Sequence, residues 1–137
     1  MSVDLFIDTN ILVYAHDLSA GGRHKKALQL IQDLWKRRER PLLSIQVLQE
    51  LHVTMVRKGV DADASREVVA NYLQWRVIEN SKAVFRKALE NQAKWQLSFW
   101  DASILSAAQQ GGAAILWSED FNLGQVYEGV KVVNPLL

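Results

Sequence analysis

Short apolar runs that are too brief to be helices recur between long stretches with helical spacing, and this alternation narrows the fold more than any other feature of the chain. Val3 to Ile7, Pro41-Leu42-Leu43, Ala113 to Trp117 and Val130 to Val133 read as buried strands, with a further extended piece near Val77-Ile78. Helical patterns lie between them. A short helix is expected from about Asn10 to His16, and one from about Arg23 to Arg37 carries Ala27, Leu30, Ile31 and Leu34 on one face. Ser19-Ala20-Gly21-Gly22 reads as a loop. Ser44 is placed to cap a helix from Ile45 to about Lys58, with Gly59 as its stop. Helices over about Asp63–Trp75 and Lys82–Trp95 follow, and Ser98-Phe99-Trp100-Asp101 has capping-box spacing ahead of a helix that ends at Gly111-Gly112. Strands alternating with helices imply parallel pairing, so the expected fold is a three-layer α/β domain, and the irregular spacing argues against a barrel.

No repeat, low-complexity stretch or linker divides residues 1–137, which suit one domain. Apolar residues make up 49% and charged residues 23%, a globular balance. The absence of cysteine excludes disulfides, thiolate metal sites and cysteine nucleophiles. No signal peptide and no membrane span are visible, so a cytoplasmic protein is expected.

Ligands of open parallel sheets bind beyond the carboxyl ends of the strands. Asp8 directly follows the first strand, and Asp120 lies three residues past Trp117. Both reach one edge if those strands are neighbours. Asp101 sits in the first turn of the helix leading to the later strand, and Glu50 about two turns into the helix that leaves Ser44. Carboxylates brought together repel one another unless cations intervene, and an all-oxygen set suits Mg2+ or Mn2+. Such an ion acidifies water and neutralises charge on a phosphodiester under attack. Zinc would rather want histidine, and His16, His24 and His52 show no paired ligand spacing. Each acid also has a structural role open to it: Asp8 and Asp120 as turn or cap residues, Glu50 on a solvated helix face, Asp101 within its capping box.

The residues around these acids resemble a known family. Phe6-Ile7-Asp8-Thr9-Asn10-Ile11-Leu12-Val13-Tyr14 looks like the opening motif of PIN-domain nucleases, particularly the VapC-like toxins of toxin–antitoxin pairs. Leu43-Ser44-Ile45-Gln46-Val47-Leu48-Gln49-Glu50-Leu51 is similar to their second motif, and Phe99-Trp100-Asp101-Ala102 to their third. Leu116-Trp117-Ser118-Glu119-Asp120-Phe121 resembles the fourth, with serine where threonine is common, and the closing Gly129 to Pro135 is also similar. The motifs stand in family order and span nearly the whole chain.

The resemblance implies a PIN fold with a mostly parallel sheet of about five strands, Mg2+- or Mn2+-dependent hydrolysis of RNA to 5′-phosphate and 3′-hydroxyl ends, a homodimer, and a short antitoxin that blocks the site. By matched position, Asp8, Glu50 and Asp101 are the principal metal-site carboxylates. Asp120, favoured over its neighbour Glu119, helps to hold a second ion. Thr9, Asn10 and Ser118 are polar groups that orient carboxylates or waters. Two other readings stand beside this one: a PIN-like RNA- or protein-binding module without activity, and a magnesium-dependent phosphatase. The phosphatase would want an aspartate where Asn10 stands.

Setting the four acids aside, the rest of a chain of net charge +1 carries +5, which suits a polyanionic substrate. Arg23, Lys25, Lys26, Arg37 and Arg38 form the densest basic stretches and are candidates for RNA phosphates. Trp35, Trp75 and Trp95 are expected in the core or a dimer seam, and Trp100, although it adjoins Asp101, is expected to pack inward. The helices over Asp63–Trp75 and Lys82–Trp95 are candidates for self-association.

Overall fold

The structure, a computed structural model, describes residues 4–137. Val3, the first residue of the expected opening strand, lies outside the described residues. Six strands form one sheet: β1 (Leu5–Ile7), β2 (Leu42–Ser44), β3 (Arg76–Ile78), β4 (Ile115–Trp117), β5 (Val126–Tyr127) and β6 (Val130–Val133). Six α-helices flank it: α1 (Thr9–His16), α2 (Gly22–Trp35), α3 (Ile45–Arg57), α4 (Ala62–Tyr72), α5 (Lys82–Trp95) and α6 (Phe99–Gln110). The sheet order is β3-β2-β1-β4-β6-β5, parallel throughout except for β5, which pairs antiparallel with β6. The mostly parallel α/β architecture is therefore observed, with one edge strand more than the five expected. That strand is two residues long and turns back through Glu128 (φ +50°) and Gly129 (φ +88°). Two residues carry no readable alternation.

The centre of the sheet is covered on both sides, because helical crossovers place helices on each face of a parallel sheet. All three residues of β1 and of β2 are buried for that reason, and Phe6, Ile7, Leu43, Leu116 and Val132 are wholly enclosed. On the helical layers, α1 packs on α2 and α3, α3 on α4, and α5 on α6, with α6 also meeting β2.

Local chemistry sets the boundaries much as the sequence implies. The Asp8, Ser44 and Ser98 side chains accept from backbone N–H groups at the starts of α1, α3 and α6. Asp61 and Ser81 cap α4 and α5 in the same way, which moves the start of α4 one residue ahead of the expected Asp63. The loop expected at Ser19–Gly22 contains a single 3₁₀ turn, Leu18–Ala20, before α2 begins at Gly22. No helix among the described residues is long and apolar enough to cross a membrane.

The helix expected to reach Trp75 stops at Tyr72, because Trp75 turns into the core, where it is 4% exposed. There its ring lies 4.9 Å from that of Trp35 and 5.0 Å, edge-on, from that of Tyr72, whose hydroxyl is 2.7 Å from His16 Nε2. Trp95 meets Tyr127 edge-on at 5.0 Å. These three tryptophans are packing residues of the chain itself. Trp75→Ala should therefore cost about 3–5 kcal/mol in chemical denaturation, and a loss below about 1 kcal/mol would contradict this account of the cluster.

Candidate active site

The strand order reverses direction at β1: β2 and β3 extend to one side and β4 and β6 to the other. A crevice opens at such a switch point, beyond the carboxyl ends of the strands. The register carries residues into it. Ile7 pairs with Trp117 and Trp117 with Val133, so the next residues, Asp8 and Ser118, stand side by side. Asp8 N donates to Trp117 O (2.9 Å) and Ser118 N to Val133 O (3.1 Å), which holds both at the end of the ladder.

A cleft of about 480 Å³ occupies this position. Asp8, Glu50, Asp101 and Asp120 all line it, together with Thr9 and Asn10. Four elements thus deliver the acids: the β1–α1 junction, the second turn of α3, the first turn of α6 and the turn after β4. Gln49, Val53, Thr54, Arg57, Trp100 and Ile104 complete the wall.

Hydrogen bonds orient the carboxylates. Ser118 Oγ donates to Asp8 Oδ2 (2.7 Å) and Thr9 N to Asp8 Oδ1 (2.7 Å). Thr9 Oγ1 donates to Glu50 Oε1 (2.7 Å) and Asn10 Nδ2 to Asp120 Oδ2 (3.3 Å). Ser118 Oγ also accepts from Asp120 N (3.0 Å), so one wholly buried hydroxyl positions two acids. Glu119 points elsewhere and accepts from Tyr14 OH (2.6 Å), which leaves Asp120 as the acid facing the cleft.

Burial raises the Asp8 carboxyl to about 7, against the pull of the Ser118 and Thr9 hydrogen bonds and with added repulsion from Asp120 and Glu50. Asp101 is raised by burial, and Asp120 by burial and then by the charges of Asp101, Glu119 and Glu50. Negative charge accumulates here without an internal counter-charge sufficient to hold these acids in their usual range.

Among the described residues, no three acid or imidazole groups close to the spacing of a complete metal shell. The four acids share a cleft rather than packing into a tight cluster, since each of Asp8, Glu50 and Asp120 is held by its own hydroxyl, amide or backbone partner. The donor chemistry nevertheless fits a hard divalent cation: all ligating atoms are oxygens, and a buried carboxyl titrating near neutrality gains most from a positive ion. The histidines are used elsewhere. His16 meets Tyr72, His24 Nδ1 lies 2.9 Å from Tyr14 O, and His52 Nδ1 lies 2.8 Å from Ser65 Oγ.

The basic candidates do not line the cleft. Arg37 and Arg38 lie in the turn after α2 that leads into the amino end of β2, on the edge of the sheet opposite the acids. Lys26 Nζ donates to the carbonyls of Leu136 and Leu137 (both 3.1 Å), and Lys25 is exposed on α2. Arg23 stands 5.6 Å over the Tyr14 ring, beside the Glu119 contact. The cation that does line the cleft is Arg57, whose Nη2 lies 3.4 Å from Thr54 Oγ1. Sequence reasoning passed over it, although Glu50, Thr54 and Arg57 follow i, i+4, i+7 spacing along one face of α3. Trp100, expected to pack inward, is 65% exposed: α6 buries Ala102 and Ile104 instead, which leaves position 100 facing out.

Solved structures of similar fold exist. The chain resembles a toxin–antitoxin complex from Klebsiella pneumoniae at 23% identity and a TM-score of 0.70, over 96% of this chain and 97% of that one. It resembles Mycobacterium tuberculosis VapC20, a sarcin–ricin loop cleaving toxin, at 20% identity and a TM-score of 0.69, over 85% and 92%. VapBC2 of Rickettsia felis, bound to a promoter DNA fragment, matches at 18% identity and a TM-score of 0.65, over 95% and 97%. No curated protein matches the chain in sequence. The PIN domain family model matches residues 5–129, a span that contains all four cleft carboxylates, and this chain belongs to the PIN-domain family.

Proposed function

We propose that this chain is a divalent-metal-dependent ribonuclease, the toxin of a toxin–antitoxin pair, acting in the cytoplasm as one domain of residues 1–137. The observation that carries the reading is the convergence of Asp8, Glu50, Asp101 and Asp120 on one cleft at the switch point of the sheet. Family membership and structural likeness to VapC proteins support it. So does the likeness to VapC20, a toxin that cleaves the sarcin–ricin loop. The likeness to toxin–antitoxin complexes supports an antitoxin as a protein partner, and a homodimer belongs to the same reading.

Asp8, Glu50 and Asp101 would hold the ion, Mg2+ or Mn2+, with Asp120 able to share a second. When bound, it would supply charge neutralisation at the phosphodiester and a more acidic water. The remaining tasks fall to the chain. Ser118 fixes the Asp8 carboxylate and the backbone of Asp120, Thr9 fixes Glu50, and Asn10 steadies Asp120. Arg57 faces the same cleft and is placed to meet a phosphate oxygen. The buried Asp8 carboxyl must lose its proton to take the ion, so binding of the ion should weaken as the pH falls below neutrality.

The test is purified protein on single-stranded RNA with magnesium, with manganese and with chelator, followed by mapping of the ends. Cleavage should require the ion, leave 5′-phosphates, and be suppressed when the protein encoded by the neighbouring reading frame is co-expressed. Cleavage that persists in chelator would overturn the metal-dependent mechanism.

A further inference from the structure

One wall of the cleft has no part in holding the carboxylates. Trp100 is 65% exposed at the start of α6, immediately before Asp101. Leaving so large a ring in water forfeits burial that an indole normally obtains. Yet the ring is not loose. Phe99 meets it edge-on at 5.1 Å, and Phe85 supports Phe99 at 5.9 Å. The backbone beneath is held as well, because the buried Gln46 on α3 donates through Nε2 to Trp100 O (3.2 Å).

Trp100 and Gln49 line the carboxylate cleft and also a second recess of about 260 Å³ beside it. The two spaces therefore adjoin across these side chains. Their chemistry differs sharply. The lining of the second recess combines apolar side chains, Val84 and Phe85 among them, with amides and hydroxyls that include Asn80 and Ser103, and holds no charged residue. A flat, uncharged ring with donors and acceptors around its edge is the complement of such a surface. A phosphate is not.

We infer that Trp100 and this recess form a nucleobase subsite, which receives an unpaired base of the RNA next to the scissile phosphate. The inference rests on the ribonuclease reading above. Trp100 offers the stacking face and the exposed Gln49 amide reaches the base edge, while the adjoining acids act on the backbone. Sequence-selective proteins commonly read RNA in this way, by splaying a base out of a loop onto an aromatic side chain. The subsite would thus direct cutting to loops and single strands rather than to paired stems.

Two measurements test the subsite. The first uses the active protein on a short single-stranded RNA of mapped cleavage position, with an abasic nucleotide placed in turn at each position beside the cut. The second measures binding of the same RNAs to Asp8→Asn protein by fluorescence anisotropy, with and without Trp100→Ala and Trp100→Phe. Base stacking on an aromatic side chain sets the expected scale, so Trp100→Ala should weaken binding and lower kcat/KM about tenfold, with Trp100→Phe retaining most of both. One abasic position should cost the Trp100 protein the same factor and the Trp100→Ala protein nothing further. RNA binding and cleavage unchanged in Trp100→Ala, or an abasic penalty of equal size in both proteins, overturns the inference. Unchanged RNA cleavage combined with lost antitoxin binding would assign the surface to the protein partner, and also overturns it. The two readings fail separately: cleavage indifferent to Trp100 removes the subsite alone, whereas base-dependent binding without any cleavage removes the ribonuclease alone.

Discussion

Asp8→Asn is expected to abolish RNA cleavage, by on the order of 10³-fold or more, while making the metal-free protein more stable at pH 8. The two effects have one cause. Asp8 is 5% exposed, and its carboxyl is raised from 3.8 to about 7, chiefly by burial. Each pKa unit corresponds to about 1.4 kcal/mol, so ionising this group inside the metal-free fold costs about 4 kcal/mol. Because the folded pKa lies above the unfolded one, the folded state holds the extra proton between about pH 4 and pH 7. The stabilisation is fully present below pH 4 and lost as the pH rises through about 7. Wild-type protein in chelator should therefore lose stability from this group across that window, whereas Asp8→Asn, which cannot ionise, should not. An asparagine there can still accept from Thr9 N, and the Ser118 hydroxyl can turn to accept from its amide. Adding magnesium or manganese should restore the wild type at pH 8 and leave the variant unchanged. Melting curves in chelator from pH 4 to pH 8 decide the matter; an Asp8→Asn protein less stable than wild type at pH 8 would refute the burial argument.

Ser118→Ala is the second large effect expected, a loss of about 10- to 100-fold in cleavage without unfolding, the usual scale for removing a group that orients a metal ligand. The hydroxyl is wholly buried, donates to Asp8 and accepts from the backbone of Asp120. Its removal frees one carboxylate oxygen and takes away the acceptor of the part-buried Asp120 N–H. The Ser118 hydrogen bond is the largest influence that lowers the Asp8 carboxyl, so its loss should carry the acidic limb of the pH–rate profile to higher pH. Ser118→Thr keeps the hydroxyl and should retain activity with the wild-type profile. A uniform fall in rate at every pH would instead mark a packing defect and refute the positioning role.

Three of the four acids were legible in the sequence because each sits at a junction the sequence announces, whereas Glu50, two turns into α3, stood out only through the resemblance of its motif. Asp8 follows an apolar run, Asp101 occupies a capping box, and Asp120 follows a second apolar run. Arg57 was legible too, through its spacing from Glu50, but a cation on an amphipathic helix is ordinarily solvated and draws no notice. The basic run at Arg37 and Arg38 does not line the cleft, and charge density along the chain carries no information about which edge of a sheet a turn will occupy. Only the direction of α2 into β2 places that run away from the acids.

By itself, then, the chain's amino-acid order determined the alternation of elements and their caps, since these follow from local hydrogen bonding and from the period of apolar residues, while the motifs around the acids marked them only by their resemblance to a family. The tertiary structure alone decided what lies beside what. The pairing of β1 with β4 sets Asp8 against Ser118, two residues 110 positions apart, and buries the carboxyl deeply enough to move its titration. It also decided that Trp100 faces outward and that β5 closes the sheet edge. Burial and proximity are properties of the packed sheet, and the local pattern of a chain does not contain them.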